Sequence, residues 1–184
     1  KKPNIRKCGF VTYRSWVIVN FLLSTGIRQN SLINIKIKDL DFDNDMVYIN
    51  TTKNRKSLII PLNEDIVKIL HEYLKYRGGG SEDWLFCSIY GEKMTKGANY
   101  TALWDYSHSR GLDKTGVHRY RHTFAKKWVT MGGSIVTLQK ILGHSSLAIT
   151  EGYLNMLTTD LKKDMNEINI IRSLKQERMQ IVRH

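Results

Sequence analysis

Arg28, His118, Arg121, His144 and Tyr153 are the residues of this 184-residue chain whose types and spacing could carry a reaction. Arg28 closes the run Thr25-Gly26-Ile27-Arg28, and His118 and Arg121 belong to His118-Arg119-Tyr120-Arg121-His122. His144 follows Leu142-Gly143, and Tyr153 comes nine positions after it. Breaking a phosphodiester without metal takes cations on the non-bridging oxygens, a nucleophile, and a proton donor for the departing alkoxide. Arginine meets the first need best, because its planar fork matches phosphate and stays charged at all relevant pH. A tyrosine hydroxyl, with an ordinary pKa of about 10, needs a base or a nearby positive charge to attack at neutral pH. Two arginines and two histidines offer that help to Tyr153.

His118 and His122 stand four apart on an expected helix, a spacing that could hold zinc. Arg119, Arg121, Lys126 and Lys127 surround them and no acidic or thiolate ligand accompanies them, so no metal site is expected. Gly78-Gly79-Gly80 lacks the following Lys-Ser/Thr of a phosphate-binding loop, and no cofactor is expected.

The elements that must position these residues follow from pattern. Val17, Val19, Phe21, Leu22 and Leu23 predict a long apolar helix from an N-cap at Thr12 to a stop at Gly26, which puts Arg28 just beyond a buried helix end. Asp41 to Asp45 reads as a turn. Met46 to Thr51 and Ser57 to Ile60 read as two strands of a β-hairpin whose tip carries Lys53, Arg55 and Lys56. The tip is either a solvated turn or an element that inserts Lys53 toward DNA. Pro61 ends the second strand, Asn63 caps a helix with the stripe Ile66, Ile69, Leu70, Tyr73 and Leu74, and the glycine triplet stops it. A helix containing Tyr100, Leu103, Trp104 and Tyr106 runs to near Gly111, and others are predicted over about 118–131, 134–142 and 147–155. The expected class is mainly α with a small antiparallel β-sheet (α+β). Residues 159–184 read as an amphipathic helix with Leu161, Met165, Ile168, Ile171 and Leu174 on one face, which either folds back on its own domain or docks on a neighbouring protomer.

The 29 Lys and Arg against 17 Asp and Glu leave +12, a surplus that favours polyanions, nucleic acid ahead of an anionic membrane surface. No apolar run reaches the roughly 20 residues of a spanning helix and no signal peptide opens the chain, so a cytoplasmic protein is expected. Cys8 and Cys87 read as two reduced thiols. The start at Lys1-Lys2-Pro3 reads as a fragment of a longer protein.

In order and spacing, residues from about 12 to 157 resemble the catalytic domain of the tyrosine recombinases, the phage-integrase family. The carriers are Arg28, His118-x-x-Arg121, Leu142-Gly143-His144 and Tyr153. The resemblance implies that Arg28 and Arg121 hold the scissile phosphate, His118 acts in proton transfer, His144 hydrogen-bonds the phosphate and Tyr153 attacks phosphorus. It selects Lys53, eight residues before Pro61, as the lysine that protonates the leaving 5′ oxygen, with Lys56 as runner-up. Arg55, Lys56, Arg119, Lys126 and Lys127 are the candidate DNA contacts. Residues 1–158 would then be the catalytic domain, with an upstream DNA-binding domain absent. The 159–184 segment would dock in trans within a tetramer on double-stranded DNA, and a phage or integrative mobile element would be the source. Ser31 departs from the family, which commonly has an acidic residue three positions after the first arginine. The competing readings are a type IB topoisomerase-like relaxing enzyme and a non-catalytic basic DNA-binding regulator.

Overall fold

The computed structural model describes residues 2–4, 6–50, 58–144 and 146–153. Helix α1 (Phe10–Thr25) is the centre of the fold. It is apolar around most of its circumference, as a helix must be when it is packed on several sides. Tyr13, Val17, Ile18, Phe21 and Leu22 are wholly buried, and α3 (Glu64–Arg77), α4 (Lys96–His108) and α5 (Val117–Thr130) pack around it. Its N-cap is Gly9, three residues earlier than the expected Thr12. Thr12 lies inside the first turn, because the apolar surface that drives burial begins with Phe10, which packs against the core.

At the other end Gly26 terminates α1 in a left-handed conformation with φ 60°. The short α2 (Gln29–Leu32) starts at once, with Arg28 as its N-cap residue. A single 3-10 turn over Ile37–Asp39 leads into the sheet. The Asp39 carboxylate accepts from Asn50 Nδ2 at 2.8 Å and ties that turn to the end of the hairpin's first strand.

The sheet has three antiparallel strands in the order β1 (Leu40–Asp41), β2 (Met46–Ile49), β3 (Leu58–Pro61), where the sequence reading had two. Val47 stands opposite both Leu40 and Ile60. Val47, Ile49 and Ile60 face the core, and the alternate residues Tyr48 and Ile59 face outward, as the two-residue period of a strand requires. The hairpin tip with Lys53, Arg55 and Lys56 lies outside the described residues, as does the 159–184 segment.

Asn63 caps α3 by accepting from Ile66 N at 3.0 Å, with Glu64 and Asp65 in the first turn and Lys75 and Arg77 in the last, where they complement the helix dipole. Thr95 caps α4 and Ser134 caps α6 (Ile135–Leu142), each through its side-chain oxygen. Ser146 does the same for α7 (Leu147–Glu151), which stops short of the predicted 155, so Tyr153 sits in the turn beyond the helix. Cys8 and Cys87 are free, and no helix among the described residues is long and apolar enough to cross a membrane.

Two clusters of buried side chains result among the described residues. The larger surrounds α1, and the smaller joins Phe124, Ala125, Val129, Leu138, Leu142 and Tyr153 from α5, α6 and the turn after α7. They meet where Gly26 approaches Phe124, and a Cβ built on Gly26 would lie 2.4 Å from the Phe124 ring. Gly26→Ala should therefore lower stability by about 2 kcal/mol or more, from positive φ and overlap combined. Gly97→Ala, on α4 with only an ordinary contact to Thr95, should raise it by about 0.4–1 kcal/mol. Urea unfolding of the two variants checks both signs.

Candidate active site

Arg121 is 93 % buried on α5, yet among the described residues no carboxylate pairs with it. Its guanidinium is held by backbone carbonyls. Nη1 donates to Gly26 O at 2.7 Å and Nη2 to Leu142 O at 2.9 Å, at the C-terminal ends of α1 and α6. Carbonyls at a helix C-terminus have no partner inside the helix and carry the negative end of its dipole, so a buried cation is satisfied there without a counter-ion. Arg28 uses the next carbonyl of the same helix end. Both of its terminal nitrogens donate to Gly143 O at 3.3 Å. Gly143 adopts φ 60°, and this left-handed turn lets successive carbonyls serve two arginines.

Nη2 of Arg121 also lies 2.8 Å from His144 Nε2, and His144 Nδ1 lies 2.9 Å from Thr150 Oγ1. Burial first, then the charges of Arg121 and Arg28, push His144 from its ordinary 6.5 down to about 4. It is neutral at pH 7. Burial first and Arg28 second also draw Arg121 down to about 10, with Tyr153 acting in the opposite sense, so the guanidinium stays charged at neutral pH.

Arg28, His118, Arg121, His144 and Tyr153 all line one cavity of about 390 Å³. Residues drawn from α2, α5, the α6–α7 loop and the turn after α7 thus converge from separate parts of the chain. Arg28 and His118 are exposed, while Tyr153 is 92 % buried. His122 completes the wall, its ring meeting the Tyr153 ring edge to face with centroids 5.3 Å apart. The sequence reading had considered His122 only for its zinc spacing. Its signal was the four-residue step from His118, which puts both on one face of α5. Thr150 and the three carbonyls were also missed.

Lys53, Arg55 and Lys56 lie outside the described residues. Arg119, Lys126 and Lys127 are exposed on α5. Arg119 and Lys126 flank His122 at three and four residues and share its side, whereas Lys127 is turned about 100° away from Lys126. Ser31 is buried on α2, so Arg28 owes its hold to Gly143 O and not to an acidic neighbour at that position.

A model of the phage integrase family matches residues 6–160. The chain belongs to the phage integrase family. It is 32 % identical over 148 residues to tyrosine recombinase XerA of Saccharolobus solfataricus, covering 80 % of this chain and 48 % of that protein. It is 31 % identical over 154 residues to tyrosine recombinase XerC of Staphylococcus epidermidis, covering 82 % and 52 %. The chain thus spans about half the length of the curated relatives it matches. The crystal structure of XerA recombinase superimposes with a TM-score of 0.74 at 30 % identity, over 85 % of this chain and 57 % of that one. A post-cleavage complex of XerH with palindromic difH gives 0.72 at 26 %, over 87 % and 48 %. The fold is that of the tyrosine recombinase catalytic domain.

Phage integrase family members share this fold, and the neutral His144 gives this member a pH signature. Its proton affinity is lowered by folding, so the unfolded chain binds more protons between pH 6.5 and about 4. The contribution is complete above 6.5 and is lost as pH falls toward 4. Urea unfolding across that window should show a steeper loss of stability for the wild type than for His144→Gln, which takes up no proton. Equal slopes would mean that His144 is not held neutral.

Proposed function

We propose that this chain is the catalytic domain of a site-specific DNA recombinase that cleaves and rejoins double-stranded DNA through a 3′-phosphotyrosyl intermediate. One observation carries the reading. Two carbonyl-held arginines, three histidines and a buried tyrosine converge on a single cavity without a paired carboxylate among the described residues.

In this reading Arg28 and Arg121 bind the non-bridging oxygens of the scissile phosphate and stabilise the charge that builds on them in the transition state. Tyr153 Oη attacks phosphorus, and its proton passes to His118. The bond to the 5′ oxygen breaks, and Lys53, with Lys56 as the alternative, gives that oxygen a proton. The free 5′-hydroxyl of a partner strand then attacks the phosphotyrosyl bond and releases Tyr153. One phosphoester replaces another at each step, so the bond energy is retained and no nucleotide cofactor enters.

Solved relatives support DNA as partner. They include XerH bound to difH at 27 % identity and the Tn1549 transposon integrase with circular intermediate DNA at 25 %. The transposon likeness also supports an integrative mobile element as the source. The net +12 charge agrees with backbone-dominated binding, with Arg119 and Lys126 on the His122 side of α5 as phosphate contacts and Lys127, Arg55 and Lys56 as further candidates. Assembly as a tetramer on DNA, with 159–184 reaching a neighbouring protomer, is part of the same proposal.

Incubated with supercoiled DNA in EDTA and resolved under denaturing conditions, the wild type should yield a covalent protein–DNA adduct. Tyr153→Phe should yield none while retaining DNA binding. Binding without adduct, in the wild type and in a longer chain that includes upstream sequence, would favour the regulator reading, and relaxation without strand exchange the topoisomerase-like one. Lys53→Ala should lose cleavage on ordinary DNA and regain it on a substrate with a 5′-bridging sulfur, whose leaving group needs no proton. Failure of that rescue would move the role to Lys56 or His118.

A further inference from the structure

Thr150 is the buried residue of α7, with no exposed surface, and it is polar where a valine of the same shape would pack. Its hydroxyl oxygen sits 2.9 Å from His144 Nδ1. On the other side of the ring, Nε2 is 2.8 Å from Arg121 Nη2. A guanidinium has donors only, so Nε2 must be the acceptor, and a neutral ring that accepts at Nε2 carries its proton on Nδ1. The Nδ1 proton then has Thr150 Oγ1 as its acceptor.

We propose that Thr150 is a positioning residue: Arg121 dictates the Nδ1-protonated tautomer of His144, and the buried Thr150 hydroxyl accepts that proton and fixes the ring in the orientation that keeps Nε2 on Arg121. The consequence for catalysis rests on the recombinase reading. With Nδ1 committed to Thr150 and Nε2 to Arg121, histidine and arginine are locked to each other. His144 can donate to a phosphate oxygen only through Nε2, and only after Nε2 gains a proton. That same proton ends its acceptance from Arg121 and frees Nη2 for the phosphate.

The groups facing His144 set the direction of this exchange. Burial first, then Arg121 from α5 and Arg28 at the start of α2, hold it neutral, and His118, His122 and Tyr153 line the same cavity. A phosphate entering between the arginines cancels their repulsion and favours the imidazolium. Filling the site is therefore coupled to uptake of one proton at Nε2, and Thr150 makes that coupling obligatory by occupying the other nitrogen.

The test uses the DNA-free chain labelled with 15N-histidine at pH 7.5, with His144 assigned by comparison with His144→Gln. The wild type and Thr150→Ser should show Nδ1 protonated and Nε2 bare. Thr150→Val, or Thr150→Ala should the valine variant not fold, should lose the single Nδ1-protonated state and give exchange-averaged ring nitrogens, because the buried Nδ1 proton has lost its acceptor and the ring its fixed orientation. A wild type with Nε2 protonated overturns the proposal by itself, as does an unchanged Nδ1 tautomer in the variant that lacks the hydroxyl. In the adduct assay Thr150→Val should lose about tenfold, as when a buried donor is left without its acceptor, with Thr150→Ser within about twofold of wild type. A changed tautomer with undiminished adduct would overturn the catalytic consequence. The spectra require no DNA, so absence of adduct from every variant and from the wild type would count against the recombinase reading and leave the tautomer to be judged on the spectra.

Discussion

The arrangement depends on one buried guanidinium satisfied by the ends of two helices. Arg121 reaches from α5 to Gly26 O on one side and Leu142 O on the other, and so ties the core around α1 to the smaller core under α6 and α7. A buried cation left unpaired would cost several kcal/mol, and helix C-termini supply partial negative charge where a carboxylate would otherwise be needed. That constraint dictates Gly26, because only a left-handed residue without a side chain can end α1 against Phe124 and still offer its carbonyl. At the end of α6 it is the left-handed φ of 60° alone that calls for Gly143, since a Cβ there would meet only ordinary contacts.

Choice of partner decides what the site can bind. A carboxylate beside Arg121 would neutralise it and compete with an incoming anion. Carbonyl oxygens, which share about half an elementary charge per helix end, hold the guanidinium in place while leaving most of its positive field directed into the cavity. Arg28, anchored on the next carbonyl, adds a second cation on the exposed side. Burial first and the same field second keep His144 neutral. Tyr153, buried against His122 in the turn after α7, completes the wall within reach of that field.

Five of the residues that line the cavity were legible in the sequence because each belongs to a local motif of distinctive spacing: Gly26-x-Arg28, His118-x-x-Arg121, Gly143-His144 and the nine-residue step to Tyr153. Most helices were legible too, through apolar stripes and caps such as Asn63. Strand β1 was not, since Leu40 and Asp41 are too few to show alternation, and its pairing with β2 is decided by tertiary contact. The start of α1 was misplaced because Gly9 caps without a side-chain hydrogen bond and Thr12 looks the better cap. What holds the site was hidden for a deeper reason. Backbone carbonyls have no letter in the sequence, and Thr150 reads like any threonine in a short helix until His144 is placed against it.

The most direct test of the carbonyl-held arginine pair as a phosphate receptor is a crystal structure of the chain grown with orthovanadate, which takes the geometry of phosphorus in transfer. Vanadate should lie in the cavity, with Arg28 and Arg121 donating to its oxygens, Tyr153 Oη facing vanadium, and Arg121 still bonded to Gly26 O. Vanadate ordered elsewhere, or a guanidinium that leaves Gly26 O to reach it, would contradict the claim that these helix ends preorganise the site.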